Sequence, residues 1–380
     1  MKDFLPPIFL RGVGKSPIRK ITDRAKPADI SFGLGEPDVP TPDVIRRAAI
    51  RAISEEHNGY TLQAGLPELR QCVAKAYPEL NLSLDQVVIT AGSQEAMYLV
   101  LMALVSEGDE VLIPDPGFVA YPTIVEMAGG VPVYYRLPAA RDFEFDLDDF
   151  RSKLSARTKV VICTSPSNPT GRTLTSDDLA AITKALRDTG VFVISDEIYR
   201  ELYYTPERPD SISSSYERTV VISGLSKSMS MTGWRLGWIC GPTDVVASAL
   251  VLHGYVTTCA STVSQKAALA AWGPEAEQAR LSIRKTFRER RDHLLNLIAR
   301  ELGVRAVTPD GAFYTMVDIS RFGSSLDVAD RLLDHGVVTV PGSPFGKEAE
   351  GFLRVSFCAD KSKLDEGVRR MKAGLGTLVD

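Results

Sequence analysis

Seven short apolar runs punctuate the first two thirds of this chain, at 87–90, 110–113, 131–135, 159–163, 191–194, 219–222 and 236–240. They are continuous rather than alternating, the pattern of strands covered on both faces and hence of a mostly parallel sheet. Between them, helices are predicted over 94–105, 121–128 and 176–189. The last has clear ends: Thr175 or Ser176 can cap it, Asp177 and Asp178 occupy its first turn, and Gly190 follows it. Strand and helix in alternation predict an α/β architecture from about residue 45 to about 270, with a mostly parallel seven-stranded sheet flanked by helices. A long charged helix is predicted over 275–302, stopping near Gly303. Beyond it the texture changes. The stretches 312–317 and 352–357 alternate or are short, and helices are predicted near 326–335 and 363–375, which reads as a smaller α+β unit.

At 380 residues the chain can form one large or two moderate domains. Apolar residues make up 44% and charged residues 24%, ordinary for a soluble globular protein. A net charge of -4 argues against general affinity for nucleic acid or an anionic membrane. The first residues, Met1 to Pro7, carry no apolar core of signal-peptide length, and no run approaches the ~18 apolar residues of a membrane span. Cys72, Cys163, Cys240, Cys259 and Cys358 are odd in number, scattered and without a C-x-x-C, which fits a reduced cytoplasm. Cys163 and Cys240 fall in apolar runs and read as small core residues. His57, His253, His293 and His335 are too dispersed for a metal site, and nothing local supports a Ser-His-Asp mechanism. Gly12-Val13-Gly14-Lys15-Ser16 looks like the end of a P-loop, but the position that needs its first glycine is Phe9 and no strand precedes it.

The densest chemistry lies in Ser226-Lys227-Ser228-Met229-Ser230-Met231-Thr232-Gly233-Trp234-Arg235-Leu236-Gly237-Trp238. It places a lysine on the loop leaving the strand at 219–222, with a hydroxyl beside it and an arginine eight residues on. A desolvated lysine loses its proton more easily and can attack a carbonyl to form a Schiff base. An arginine fork suits a phosphate. Together they describe a cofactor with an aldehyde and a phosphate, although a surface Ser-Lys loop before a Gly/Trp-rich strand has the same spelling. Asp196 follows an apolar strand, where a carboxylate is costly without a cationic partner; a helix N-cap is the alternative. Tyr199 shares a face with Asp196 if the chain has turned helical, and otherwise reads as a core tyrosine. Asn168, before Pro169 and near Gly171, reads first as a turn residue. Phe118, after Asp115-Pro116-Gly117, reads as a core ring at a loop. Gly92-Ser93-Gln94 opens a helix, and a helix N-terminus binds phosphate; Ser93 is equally an ordinary N-cap. Arg354 alternates with Leu353, Val355 and Phe357 and so points away from their apolar face, where it is either exposed or functional.

The lysine string resembles the cofactor-lysine signature of class I/II aminotransferases, fold-type-I pyridoxal-phosphate enzymes of the aspartate aminotransferase kind. Further blocks resemble the same family in order: Phe32-Gly33-Leu34-Gly35-Glu36-Pro37-Asp38, Tyr60-Thr61 with Ala64-Gly65-Leu66-Pro67-Glu68-Leu69-Arg70, Ala91-Gly92-Ser93-Gln94-Glu95-Ala96, Asp115-Pro116-Gly117-Phe118, Ser165-Pro166-Ser167-Asn168-Pro169-Thr170-Gly171, Ser195-Asp196-Glu197-Ile198-Tyr199, Gly311-Ala312-Phe313-Tyr314, Pro341-Gly342-Ser343-Pro344-Phe345-Gly346 and Leu353-Arg354-Val355-Ser356. Each alone is weak; ten in order are specific. The resemblance implies pyridoxal 5'-phosphate linked to Lys227, which also carries the proton. It implies Asp196 on the pyridine nitrogen, Tyr199 and Asn168 on the ring hydroxyl, and Phe118 stacked on the ring. Gly92, Ser93, Gln94, Ser226 and Arg235 would hold the phosphate, with Ser223 as a further helper. Tyr60 would reach that phosphate from the other subunit of a homodimer. Arg354 would clamp the substrate α-carboxylate, with contacts from Gly35 and Asn168. The resemblance also implies a large cofactor-binding domain at 44–280 and a small domain made of 1–43 and 281–380.

The expected activity is amino-group transfer between an L-amino acid and a 2-oxo acid. Lyases or synthases of the same fold are the alternative, and the Met231-Thr232-Gly233-Trp234-Arg235 spelling favours a transaminase. A cofactor-binding regulatory module is a third reading; it lacks a DNA-binding arm and a basic footprint. No residue of the sequence stands out as a second cation for a dicarboxylic side chain, so the expectation leans to neutral, apolar or aromatic amino acids, with aspartate as runner-up. No metal, nucleic acid or membrane is expected.

Overall fold

The computed structural model describes residues 17–33, 35–55 and 58–376; the glycine-rich stretch at 12–16 and His57 lie outside them. In chain order its strands are β1 (Ile30–Ser31), β2 (Val87–Thr90), β3 (Glu110–Asp115), β4 (Val131–Arg136), β5 (Thr158–Thr164), β6 (Phe192–Asp196), β7 (Thr219–Gly224), β8 (Gly237–Cys240), β9 (Tyr314–Asp318), β10 (Val337–Val338), β11 (Val340–Pro341) and β12 (Phe352–Ser356). Its helices are α1 (Pro17–Thr22), α2 (Asp43–Glu55), α3 (Pro67–Ala76), α4 (Ser93–Leu104), α5 (Tyr121–Met127), α6 (Leu147–Lys153), α7 (Ser176–Leu186), α8 (Thr243–Val256), α9 (Thr262–Ala268), α10 (Pro274–Leu297), α11 (Ser325–Asp334) and α12 (Lys361–Gly376).

All seven predicted runs join one sheet, in the order β2-β8-β7-β6-β5-β3-β4. Only β8 runs against its neighbours; the other pairings are parallel. The continuous apolar runs are covered on both sides, as expected. In β6, Ile194 packs with Val100 and Val246 of α4 and α8, while Val193 packs with Leu179, Ile182 and Leu186 of α7. Each such fully buried aliphatic side chain contributes roughly 1.5–3 kcal/mol.

A second sheet, β11-β12-β9, is antiparallel, and β12 is its middle strand. β1 pairs in parallel with β10, Ile30 opposite Val337 and Ser31 opposite Val338, so the N-terminal segment is tied to the C-terminal one.

One helix ends earlier than expected, and another changes its winding before its predicted end. α7 stops at Leu186 because Arg187 has extended backbone, and Gly190 (φ +74°) serves the turn into β6 rather than the helix end. α10 gives way at Ile298 to a wider π-helical turn, Ile298–Leu302, and left-handed Gly303 (φ 60°) ends it where predicted.

Candidate active site

The carboxyl ends of parallel strands are where such sheets bind ligands, because their loops leave a crevice there. Here the loops after β2, β3, β5 and β7, and the end of β6, converge on a cavity of ≈ 500 Å³. β9 and β12 supply Tyr314 and Arg354 from the second sheet, and α1 supplies Ile18, Arg19 and Thr22.

Lys227 leaves β7 two residues after Leu225 and is half-buried in this cavity. Its Nζ donates to the Gly35 carbonyl at 2.5 Å. The Tyr199 and Phe313 rings lie 5.9 and 5.8 Å from it. Burial lowers its pKa from 10.5 to about 8; the positive charges of Arg354 and Arg235 act in the same direction, against Cys358 and Glu36.

Asp196 is the last residue of β6 and is buried. Its Oδ2 accepts from the Tyr121 hydroxyl at 2.8 Å and its Oδ1 from the Ile198 N–H at 3.3 Å. Burial pushes its pKa up, while Tyr121, the Ile198 N–H and the charge of Lys227 hold it down. No helix follows: the chain turns at once, so the capping alternative becomes a local turn closed by the carboxylate. Tyr199 therefore reaches the cavity from that turn and not along a helix face. Its hydroxyl lies 3.1 Å from that of Tyr314.

Arg354 is 4% exposed, which removes the exposed reading. Its Nη1 donates to Asn168 Oδ1 at 2.9 Å and its Nη2 to the Gly33 carbonyl at 3.0 Å. The rings of Tyr314 (4.2 Å) and Phe345 (5.0 Å) flank the guanidinium. Phe118 lines the cavity, edge-on to Tyr121 at 5.5 Å and 83°.

At the other end, α4 begins at Ser93, so its N-cap is Gly92 and not Ser93. The reason is steric and conformational. Gly92 has φ +91°, and a Cβ there would lie 2.5 Å from Arg235 Nη2. Arg235 itself has φ 51° and donates to the Thr232 carbonyl at 3.0 Å. Ser93, Gln94, Ser226 and Arg235 all line the cavity.

Of the predicted residues, Gly35, Ser93, Gln94, Phe118, Asn168, Asp196, Tyr199, Ser226, Lys227, Arg235 and Arg354 meet in this one cavity, with Gly92 against Arg235. Two do not. Ser223 turns away, its hydroxyl donating to the Glu197 carbonyl at 3.0 Å. Tyr60 is 87% exposed on the outside of this chain. Sequence reasoning missed Tyr121, Thr164, Tyr314 and Arg19. Tyr121 and Thr164 lie in elements that read as ordinary core, Tyr314 belongs to a family block without a role of its own, and Arg19 sits on a short helix with no motif.

A family model described as aminotransferase class I and II matches residues 27–371. A probable aspartate/prephenate aminotransferase of Aquifex aeolicus is 37% identical over 366 residues, 93% of this chain and 92% of that protein. The structure of an aspartate aminotransferase from Thermus thermophilus with maleate shares the fold at a TM-score of 0.93 and 30% identity, over 98% of this chain and 100% of that one. An aromatic aminotransferase from Pyrococcus horikoshii matches at a TM-score of 0.89 and 33% identity, over 95% and 99%. Enzymes of this family generally depend on pyridoxal phosphate. Similarity of this length, over a cavity assembled from the same ordered blocks, makes the chain a member of the class I and II aminotransferases, of the aspartate aminotransferase type.

Proposed function

We propose that the chain exchanges an amino group between an L-amino acid and a 2-oxo acid with pyridoxal 5'-phosphate held in the ≈ 500 Å³ cavity. One observation carries this reading: a lysine amine brought to a pKa of about 8 shares a cavity with a buried carboxylate and a buried, ring-flanked arginine. The donor set fits the cofactor. Free N–H groups at the start of α4, with Ser93, Gln94, Ser226 and Arg235, would hold the phosphate. Asp196 would face the ring nitrogen, since a buried carboxylate needs a cationic partner. Asn168 and Tyr199 would hold the ring hydroxyl, Phe118 would cover the ring, and Lys227 would hold the aldehyde.

When bound, the cofactor supplies the electron sink that makes the substrate's α-hydrogen acidic. Lys227 Nζ takes and returns that proton, and a pKa of about 8 lets both of its protonation states be populated near neutral pH. Arg354 orients the α-carboxylate through a two-pronged contact. The Gly33 and Asn168 oxygens hold its fork in place before substrate arrives.

The cavity lining offers support for two substrate readings. Four cations line the cavity, and Lys227, Arg235 and Arg354 have roles. Arg19, on α1, is the fourth, and it supports a dicarboxylic donor such as aspartate. The apolar lining from Ile18, Val119 and Ile124 favours neutral or aromatic side chains as the second reading.

We take residues 44–280 as the cofactor-binding domain and 1–43 with 281–380 as the small one. A homodimer is supported by the exposed apolar side chains near Tyr60. Gln63 Nε2 donates to the Leu250 carbonyl, joining this segment to α8, whose Val251, Tyr255 and Val256 are also exposed. Among the described residues no helix is long and apolar enough to cross a membrane. All five cysteines are unpaired, which supports a cytoplasmic setting.

Borohydride reduction of the cofactor-loaded protein, followed by peptide mapping, is the test. The pyridoxyl tag is expected on Lys227 alone; a tag on another lysine, or none on loaded protein, ends this reading.

A further inference from the structure

The buried side of α8 is apolar at Val245, Val246 and Ala249 and then carries a histidine, His253. That ring is fully buried, and its Nε2 has no hydrogen-bond partner among the described residues. A buried polar ring needs a partner. Its Nδ1 has one, 3.1 Å away: Oε1 of Glu95, in the first turn of α4. Thr257, one turn on at the end of α8, donates its hydroxyl to the same Oε1. The other oxygen of Glu95, Oε2, accepts the Ala91 N–H. Burial opposes ionisation of this carboxylate, but the bonds from His253, Thr257 and the Ala91 N–H outweigh it and hold its pKa below the ordinary value. An ionised carboxylate only accepts, so the proton between the two side chains sits on His253 Nδ1.

We propose that His253 and Thr257 are positioning residues that act through Glu95 on the turn receiving the cofactor's phosphate, so that the seating of α8 sets phosphate affinity. The inference rests on the cofactor reading above. Glu95, His253 and Thr257 do not line the cavity, so none of them touches the cofactor. What they reach is the main chain between β2 and α4. Ala91 is held on both sides there: its N–H by Glu95, and its carbonyl by Arg235 Nη2 at 3.5 Å. Thr90 Oγ1 closes the same turn, donating to the Gly92 carbonyl at 3.0 Å. The free N–H groups of α4 begin directly after it. A hydrogen bond to an ionised acceptor is roughly twice as strong as a neutral one, so Glu95 is a firm anchor for this turn while it stays charged. Tyr255 and Val256 lie between the two positioning residues in sequence and are exposed, on the side of α8 taken above to face a second copy. One turn of helix thus carries both that face and the brace behind the phosphate cup.

The test compares pyridoxal 5'-phosphate with pyridoxal, which lacks only the phosphate. Each is titrated into the full chain stripped of cofactor. His253→Leu removes the Nδ1 donor, and His253→Asn puts an amide N–H near the same place. His253→Leu is expected to weaken pyridoxal 5'-phosphate roughly three- to tenfold, part of what a bond to a charged group is worth. It should leave pyridoxal binding unchanged and move the 31P signal of the bound cofactor. His253→Asn should restore most of the affinity. Thr257→Val should act in the same direction by less, and neither change should add to Glu95→Ala. Thr257→Val keeps the shape of a half-buried side chain and decides the matter if His253→Leu does not fold. Equal losses for the two ligands, or a lower melting temperature with wild-type affinity for both, overturn the brace and leave the cofactor reading standing. A wild-type chain that binds the phosphorylated form no better than pyridoxal overturns the phosphate reading, and the brace with it.

Discussion

Replacing Lys227 by methionine isolates the cost of a buried amine. In the folded chain its pKa is about 8 against an ordinary 10.5, chiefly through burial. Below pH 8 both folded and unfolded chains carry the proton, and the folded one bears the full penalty. Between 8 and 10.5 the unfolded chain binds more proton than the folded one, so stability rises with pH; above 10.5 the penalty is gone. The shift is worth about 3 kcal/mol at most. Solvent that still reaches the half-buried side chain reduces the expected figure to about 2 kcal/mol. Methionine also cannot make the 2.5 Å bond to the Gly35 carbonyl, so an offset against the variant adds to the difference at both pH values. Urea unfolding of the cofactor-free wild type and Lys227→Met, at pH 7 and again near pH 10.5, should therefore show wild type gaining about 2 kcal/mol on the variant as pH rises. An unchanged difference between the two pH values would refute the burial argument, whatever the offset.

Arg19→Gln should lower kcat/KM for aspartate roughly ten- to a hundred-fold and leave alanine and phenylalanine unchanged; equal losses on all three would remove Arg19 from side-chain recognition. Gly92→Ala forces a Cβ into φ +91° and against the tip of Arg235. About 1–2 kcal/mol of stability should be lost, and the displaced guanidinium should lower cofactor affinity roughly tenfold, both read by titration and thermal melting. Tyr60→Ala and Lys227→Ala chains, each nearly inactive, should regain activity when mixed and reassembled, because one site of the hybrid then has both native groups. No regain places Tyr60 on its own subunit's cofactor.

Much of this molecule is legible in its residue pattern, and the failures have physical causes. The continuous runs gave the main sheet because burial on both faces leaves no room for alternation. The reversed direction of β8 was not visible, since GWIC reads alike either way. α8 carries Val251, Tyr255 and Val256 on its outer side, so its apolar residues have no clear period and it was not predicted. Arg354 illustrates a limit of alternation. The rule turned it away from Leu353 and Val355, but it cannot say that the opposite face is closed by Asn168, Tyr314 and Phe345. Tyr121 and Thr164 look like core residues until strand register sets their hydroxyls beside a carboxylate.

The carbonyls of Gly33 and Gly35 receive Arg354 and Lys227 respectively. Two cations from separate sheets are thus spaced by a single short strip of main chain, which works as a ruler between proton carrier and carboxylate clamp. Inserting or deleting one residue in that strip would displace both at once, and neither could be restored by mutating the other.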